Sequence, residues 1–432
     1  MERSAIHRLR KWKEEVNRKP LIIRGARQVG KTWLMQYFGK TCYSNTAYIN
    51  FENNIRMQNL FQGDMDVQRI LTGLQIESGS PIDSGTLLIL DEIQEVPRAL
   101  NSLKYFYENR PELHVLAAGS MLGVALHPDT SFPVGKTEFL NLYPLSFTEF
   151  LHAGENHNLL ELLESKDFSM ITTFRSKYID LLKQYMFTGG MPEAVLTFLQ
   201  TKDYSRVREV HDNLLAAYEQ DFSKHAPVNV VPRIRLIFHS LPAQLARENR
   251  KFIFGLVREG ARAREFELAL QWLLDSGLLS QIFRVTKPGI PLKAYQDMKA
   301  FKIFLVDIGL LGALSGLDPV SLLEGNRVFQ EFKGALTEQF VLQQLLTEDN
   351  ISPYYWSAKK GTAEVDFLIQ HKGGIYPIEV KASENLKAKS LQSFSRQFSP
   401  DKSVRISMSD YRDEGWLVNL PLYACSLVPS IL

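Results

Sequence analysis

Short apolar, β-branched runs alternate with helical periodicity over the first third of the chain. Leu21–Ile23, Thr86–Leu90 and His114–Ala118 are nearly continuous in apolar residues, which predicts strands buried on both faces. Asn45–Glu52 reads as another strand. Trp33–Phe38 carries Leu34, Met35 and Phe38 at helical spacing, with Gly39 expected as its stop. Pro97–Tyr107 predicts a further helix. Strands and helices in alternation predict an α/β fold, a doubly wound parallel sheet. From Leu151 to about Ala300 the strand-like runs thin out and a 3.6-residue period takes over. Gly189–Glu193 breaks two helical segments, and Phe266, Leu270, Leu273 and Leu274 line one helix that Asp275–Gly277 ends. Leu278–Val285 then predicts a strand, Lys287–Pro291 a turn and Leu292–Tyr295 a returning strand. Helices followed by a hairpin outline a winged helix-turn-helix. In the last third, Glu364–Lys381 alternates with period two on either side of Lys372-Gly373-Gly374, a hairpin signal. These changes of texture divide the chain into segments 1–150, 151–315 and 316–432.

Composition changes this picture little. At roughly 100–200 residues per domain, 432 residues suggest two to four domains. A hydrophobic share of 45% and a charged share of 23% are ordinary for a globular protein. The net charge of +2 announces no nucleic-acid partner, although a local patch can sit inside a balanced total. Residues 201–302 hold 17 Lys plus Arg against 11 Asp plus Glu. Arg247, Arg250 and Lys251 precede the helix of the expected winged module, and Arg258, Arg262 and Arg264 lie beside its start. DNA is therefore one candidate partner; the alternative is a lid or protein-contact module. Two cysteines, Cys42 and Cys425, make no disulfide framework and fit a reducing cytoplasm. The basic N-terminus has no apolar signal-peptide core, and no run approaches the ~20 apolar residues of a membrane span, so no membrane partner is expected. His7, Arg8, Arg10, Lys11 and Trp12 read as a solvated helix leading into the first segment.

The first chemical signal is Gly25-Ala26-Arg27-Gln28-Val29-Gly30-Lys31-Thr32, between a predicted strand and a predicted helix. Phosphates need inward-pointing backbone N–H groups, so the loop needs glycine's dihedral freedom, and the helix N-terminus adds its dipole. Lys31 supplies charge to the β- and γ-phosphates, and the Thr32 hydroxyl is a magnesium ligand. The strand Thr86–Leu90 ends in Asp91 and Glu92. Carboxylates at the C-terminal end of a buried strand lie at the ligand edge of an open α/β sheet. Asp91 is assigned to the magnesium shell and Glu92 to the attacking water. ATP and Mg2+ are thus the expected cofactors. His114–Ser120 ends in a small polar residue. Ser120 is a candidate sensor of the γ-phosphate, or else the N-cap of the next segment.

The second signal is the hairpin. With Lys372-Gly373 as its two-residue loop, Asp366 falls opposite Glu379 and Glu364 opposite Lys381, while Val365, Phe367, Ile369, Ile378 and Val380 share the other face. Opposed carboxylates repel, and a divalent cation with oxygen ligands offsets this. Lys381 projects from the same face, where it can stabilise phosphate charge or orient a water. That is the chemistry of a metal-dependent phosphodiesterase; the alternative is a solvated hairpin with a Glu364–Lys381 ion pair. Glu338, in the predicted helix Gly334–Leu342, is a further candidate metal ligand. Lys387, Lys389, Ser390 and Phe394 open a helix that could line the site. Tyr354, Tyr355, Trp356, Lys359 and Lys360 interleave aromatic and basic residues, a pattern that suits nucleic acid or a strand edge.

The order of GARQVGKT, LLILDE, HVLAAGS, Leu142–Phe150, GGMPEAV, GALTEQFV, EVDFLI and IEVKAS resembles bacterial and archaeal AAA-like ATPases. These carry a C-terminal domain of unknown function with a restriction-endonuclease-like core. The resemblance covers nearly the whole chain. It implies a P-loop ATPase domain, a winged-helix linker and a PD-(D/E)XK-type domain in which Glu338, Asp366, Glu379 and Lys381 form the nuclease-type set. Val365 stands where the strict nuclease pattern has proline. Such ATPases often take an arginine from a neighbouring copy. A homo-oligomer is therefore an open expectation, with Arg110 one candidate among many. The leading reading is an ATPase coupled to DNA; the alternative is an ATP-dependent switch whose C-terminal domain binds protein without catalysis. A small-molecule phosphotransferase fits poorly with so long a non-nucleotide half.

Overall fold

Leu21–Arg24 (β1), Asn45–Asn50 (β2), Thr86–Asp91 (β3), His114–Gly119 (β4) and Glu138–Asn141 (β5) lie in one parallel sheet of order β2-β3-β4-β1-β5. In the computed structural model, residues 1–120, 135–247, 251–318, 333–358, 363–382 and 388–432 are described. Arg250, Lys359, Lys360, Lys387 and the segment that Ser120 would cap lie outside the described residues. The chain divides into two units, Met1–Tyr143 with Asp275–Leu278, and the remainder. Segment 316–432 and all of segment 151–315 except Asp275–Leu278 thus fall in the second unit.

In the first unit every residue of β3 and β4 is buried, which is why these runs are almost continuously apolar. Ile22, Ile49, Leu88 and Leu90 pack with Phe61, Leu71, Leu103 and Phe106 from the helices Ile55–Gln62, Val67–Ser78 and Pro97–Asn109. Two sequence expectations change. The helix after the glycine-rich loop runs Lys31–Cys42, through Gly39. A Cβ on Gly39 would lie 2.6 Å from Thr46 Oγ1, so this glycine serves close packing on β2 rather than termination. The N-terminal helix Ala5–Glu14 is also not simply solvated: Ile6, Leu9 and Trp12 are buried, and Trp12 packs against Phe38 and His114.

The second unit combines helices with an eight-stranded sheet. Its strands are Leu279–Val285 (β6), Gln296–Leu305 (β7), Tyr354–Ser357 (β8), Glu364–His371 (β9), Gly374–Val380 (β10), Ser403–Ser407 (β11), Arg412–Asp413 (β12) and Leu417–Pro421 (β13). Their order is β12-β13-β11-β10-β9-β8-β6-β7. Leu292–Tyr295, expected to return as a strand, is a 3-10 turn; β7 makes the return, and β6 also pairs with β8. The hairpin read as a wing is therefore an edge of the large sheet.

A polar clasp holds the second unit's segments together. On the helix Lys333–Leu346, Gln339 bonds both backbone groups of Leu305, Gln343 bonds Ile308 N, and Gln344 bonds Phe147 N. The fully buried Asp307 accepts from Gly190 N at 2.6 Å, Leu310 N at 3.1 Å and Gln343 Nε2 at 3.0 Å. Buried amides without partners cost roughly 1–3 kcal/mol each. Asp307→Ala is therefore expected to lower the unfolding free energy by about 3 kcal/mol or more. Urea unfolding followed by helical circular dichroism checks this; a loss of less than about 0.5 kcal/mol, the range of ordinary surface changes, would remove Asp307 from the clasp.

Candidate functional site

The loop between β1 and the helix Lys31–Cys42 turns through Gln28 at φ 65° and Gly30 at φ 95°. Gly30 caps the helix in the left-handed region, where a side chain is strained. Arg3 holds the loop from outside. Its guanidinium donates to Val29 O at 2.9 Å and to Tyr143 O at 2.6 Å, and only 4% of the residue is exposed. The Lys31 ammonium donates to Gly25 O at 3.0 Å and Ala26 O at 2.8 Å. Burial lowers the Lys31 pKa to about 8, against the attraction of Glu92 and Asp91.

Strand β4 lies between β1 and β3, so its C-terminal end emerges between the glycine-rich loop and the acids. Thr32 Oγ1 donates to Asp91 Oδ2 at 2.7 Å, joining positions 59 residues apart. Tyr48 Oη donates to the same oxygen at 3.0 Å, and Glu92 N to Asp91 Oδ1 at 3.0 Å. Desolvation raises the Asp91 pKa, and the bonds from Thr32 and Tyr48 oppose it. Glu92 sits at φ 51°. Its carboxylate accepts from Ser120 Oγ at 3.1 and 3.3 Å and from Gln94 Nε2 at 2.6 Å. Arg27 approaches Glu52 at 3.9 Å, and Arg110 pairs with Glu112 at 2.5 Å. The structure thus gathers Lys31, Thr32, Asp91, Glu92 and Ser120 at one sheet edge. Sequence reasoning missed Arg3, Tyr48 and Gln94. Gln94, two residues after Glu92, was the only one of the three whose nearness to the site was legible.

In the second unit the β9–β10 register pairs His371 with Gly374 through Phe367 with Ile378, around a Lys372-Gly373 loop with positive φ at both residues. Asp366 and Glu379 follow one step on. Asp366 Oδ2 accepts from Val380 N at 2.8 Å, and Lys381 Nζ lies 2.8 Å from Glu379 Oε1. Glu379 is buried, and its Oε2 has no hydrogen-bond partner. Burial raises the Glu379 pKa; Lys381 opposes this and Asp366 adds to it. Glu364 is not paired with Lys381. It lies 2.5 Å from Nζ of Lys302, a wholly buried lysine on β7 that also lies 3.8 Å from Glu338. Glu338, expected beside a metal, is therefore drawn toward this ammonium. Among the described residues no group of three or more His, Cys, Asp and Glu side chains is arranged to hold a metal ion. The chemistry of the donors fits a two-carboxylate site at Asp366 and Glu379 with the remaining ligands from solvent. Sequence reasoning missed Lys302, which lies on β7 more than sixty residues before Glu364.

The depressed Lys31 pKa has a measurable consequence. Phosphates restore the charged form, so at about pH 8.5 nucleotide binding takes up a proton, and near neutrality it does not. Calorimetry in buffers of different ionisation enthalpy reads the uptake. Lys31→Met should abolish it; uptake equal to the parent's in Lys31→Met would assign the proton elsewhere.

The family comparison agrees with the geometry of the first unit. Residues 17–151 match the family model of an AAA domain. Residues 179–321 and 333–423 match two domains of unknown function, DUF8612 and DUF4143. No curated protein matches the chain. Among solved structures, the Walker-type ATPase PABY2304 of Pyrococcus abyssi is 16% identical over 72% of this chain and 95% of that one, with a TM-score of 0.45. The Aeropyrum pernix ORC1 protein, solved in complex with DNA, is 13% identical over 73% of this chain and 93% of that one, with a TM-score of 0.28. Among the described residues no helix is long and apolar enough to cross a membrane. The parallel sheet, the glycine-rich loop with its opposed acids and the match at residues 17–151 together make the N-terminal unit an AAA-like P-loop ATPase domain.

Proposed function

We propose that the chain hydrolyses ATP with magnesium and couples turnover to DNA through its second unit. The observation that carries the ATPase reading is the convergence of Thr32 Oγ1 and Asp91 Oδ2 at 2.7 Å beside Lys31. Backbone N–H groups of Gly25–Gly30 and the helix N-terminus receive the phosphates, and Lys31 exchanges its loop carbonyls for phosphate oxygens. Thr32 and Asp91 would hold the magnesium ion, which supplies neutralising charge to the phosphates. Glu92 orients the attacking water and accepts its proton as the bond to the leaving phosphate breaks. Ser120 and Gln94 fix the Glu92 carboxylate, so Ser120 acts chiefly through Glu92.

Two features support DNA as the coupled partner. Arg247, Lys251, Arg258, Arg262 and Arg264 are exposed just before and at the start of the helix Ala263–Asp275. The Asp366–Glu379–Lys381 arrangement suits phosphodiester chemistry, with a PD-(D/E)XK-like domain as its scaffold and a metal held by the two carboxylates. The second reading, a switch whose second unit binds protein without catalysis, is favoured by Lys302, whose ammonium neutralises Glu338 and Glu364.

The test measures ATP hydrolysis with and without duplex and branched DNA, and nicking in the same tubes under magnesium and manganese. DNA should raise turnover severalfold. Lys31→Ala should abolish turnover, and Asp366→Ala should abolish nicking while leaving ATP hydrolysis in place. Turnover indifferent to DNA, with no nicking in either metal, would move the reading to the protein-binding switch.

A further inference from the structure

A row of polar side chains crosses the second unit's sheet. Arg412 of β12 pairs with Asn419 of β13, Asn419 with Arg405 of β11, and Arg405 with Glu379 of β10. Register partners project from the same face of a sheet. The rows on either side, Ile378–Val404–Val418 and Val380–Ile406–Leu420, turn apolar groups to the opposite face. The polar row is therefore concentrated on one face, and it ends in a cavity.

This cavity has a volume of about 240 Å³. Three guanidinium groups line it, from Arg175, Arg405 and Arg412, together with Ser409 and Tyr411. Asp410 is the one carboxylate in the lining. Glu414, 3.9 Å from Arg412, and Glu379, beside Arg405, act on these guanidiniums from outside the lining. The site is held in shape by its own bonds. Arg405 is 1% exposed, and its Nε donates to Asn419 Oδ1 at 2.8 Å. The Asn419 amide donates to Ser409 O at 3.2 Å and Asp410 O at 2.7 Å, which fixes the loop after β11. Arg175 donates to Met408 O at 2.8 Å, and Tyr411 stacks on Phe168 with ring centroids 3.7 Å apart.

The volume is below the roughly 300–1,000 Å³ of sites that enclose a small organic ligand. Space of this size suits a small oxyanion and part of its solvent. Guanidinium forks match the paired oxygens of phosphate, and hydroxyl donors complete a tetrahedral shell. We propose that this cavity binds a phosphoryl group, presented by the end of a nucleic-acid strand or by a free phosphomonoester. The inference goes beyond the ATPase and cleavage readings: it holds whether or not the Asp366–Glu379 pair cuts a phosphodiester.

The P-loop also takes phosphate, so the experiment uses the full chain carrying Lys31→Ala in every arm. The probes are inorganic phosphate and short oligothymidylates with a 5′-phosphate or a 5′-hydroxyl, titrated by calorimetry. The expected result is a roughly tenfold advantage of the 5′-phosphorylated strand, lost on adding Arg412→Gln or Arg175→Gln. These two side chains are 61% and 30% exposed, so their replacement spares the core that Arg405→Gln would disturb. Thermal unfolding confirms that each variant is folded. Arginine-dependent binding of inorganic phosphate without a strand advantage would also support the site and assign it to a free phosphomonoester. If neither phosphate nor the phosphorylated strand binds in a manner sensitive to Arg175 and Arg412, the proposal is overturned.

Discussion

The end of β1 and the end of β3 have to meet for a nucleotide site to exist, and β4 stands between them. The contact between Thr32 Oγ1 and Asp91 Oδ2 satisfies that constraint across 59 residues of sequence. It needs parallel strands with all their ends at one edge, and it needs a loop short enough to start the helix at Lys31. The buried faces of β1, β3 and β4 supply the apolar free energy that keeps these polar ends in place. Lys31 is the cost side of the arrangement. A desolvated ammonium tolerates burial because loop carbonyls and two carboxylates surround it, and the same environment makes it responsive to phosphate.

The second unit applies a related principle without a nucleotide. Its interior contains polar groups that a purely apolar core would not need. Gln339 and Gln343 bond the backbone of Leu305 and Ile308, Gln344 bonds that of Phe147, and Asp307 gathers two backbone amides and a side-chain donor. Each bond is directional, so the set fixes one arrangement of helices and strands where apolar packing would allow neighbouring alternatives. Lys302 does the same between Glu338 and Glu364.

The sequence revealed what is local. The strand, loop and helix around Gly25–Thr32 follow one another directly, and the β9–β10 register follows from alternation around Lys372-Gly373. Non-local features were hidden. Gly39 reads as a helix stop until β2 packs against it, and Leu292–Tyr295 resembles a strand because its apolar residues precede a β7 broken up by Asp297, Lys299 and Lys302. The partner of Glu364 sits on a strand more than sixty residues earlier in the chain, so no hairpin rule could supply it. Arg3 and Tyr48 reach the nucleotide site through tertiary packing alone, and nothing in their immediate sequence marks them.

The most direct measurement is nucleotide binding and ATP turnover in Glu92→Gln. The substitution keeps side-chain size and removes the proton acceptor. Binding of magnesium-ATP should stay within about threefold of the parent, while turnover falls by roughly 100-fold or more. A variant that hydrolyses ATP at the parental rate would contradict the assignment of Glu92 to the attacking water, and with it the account of how this sheet edge works.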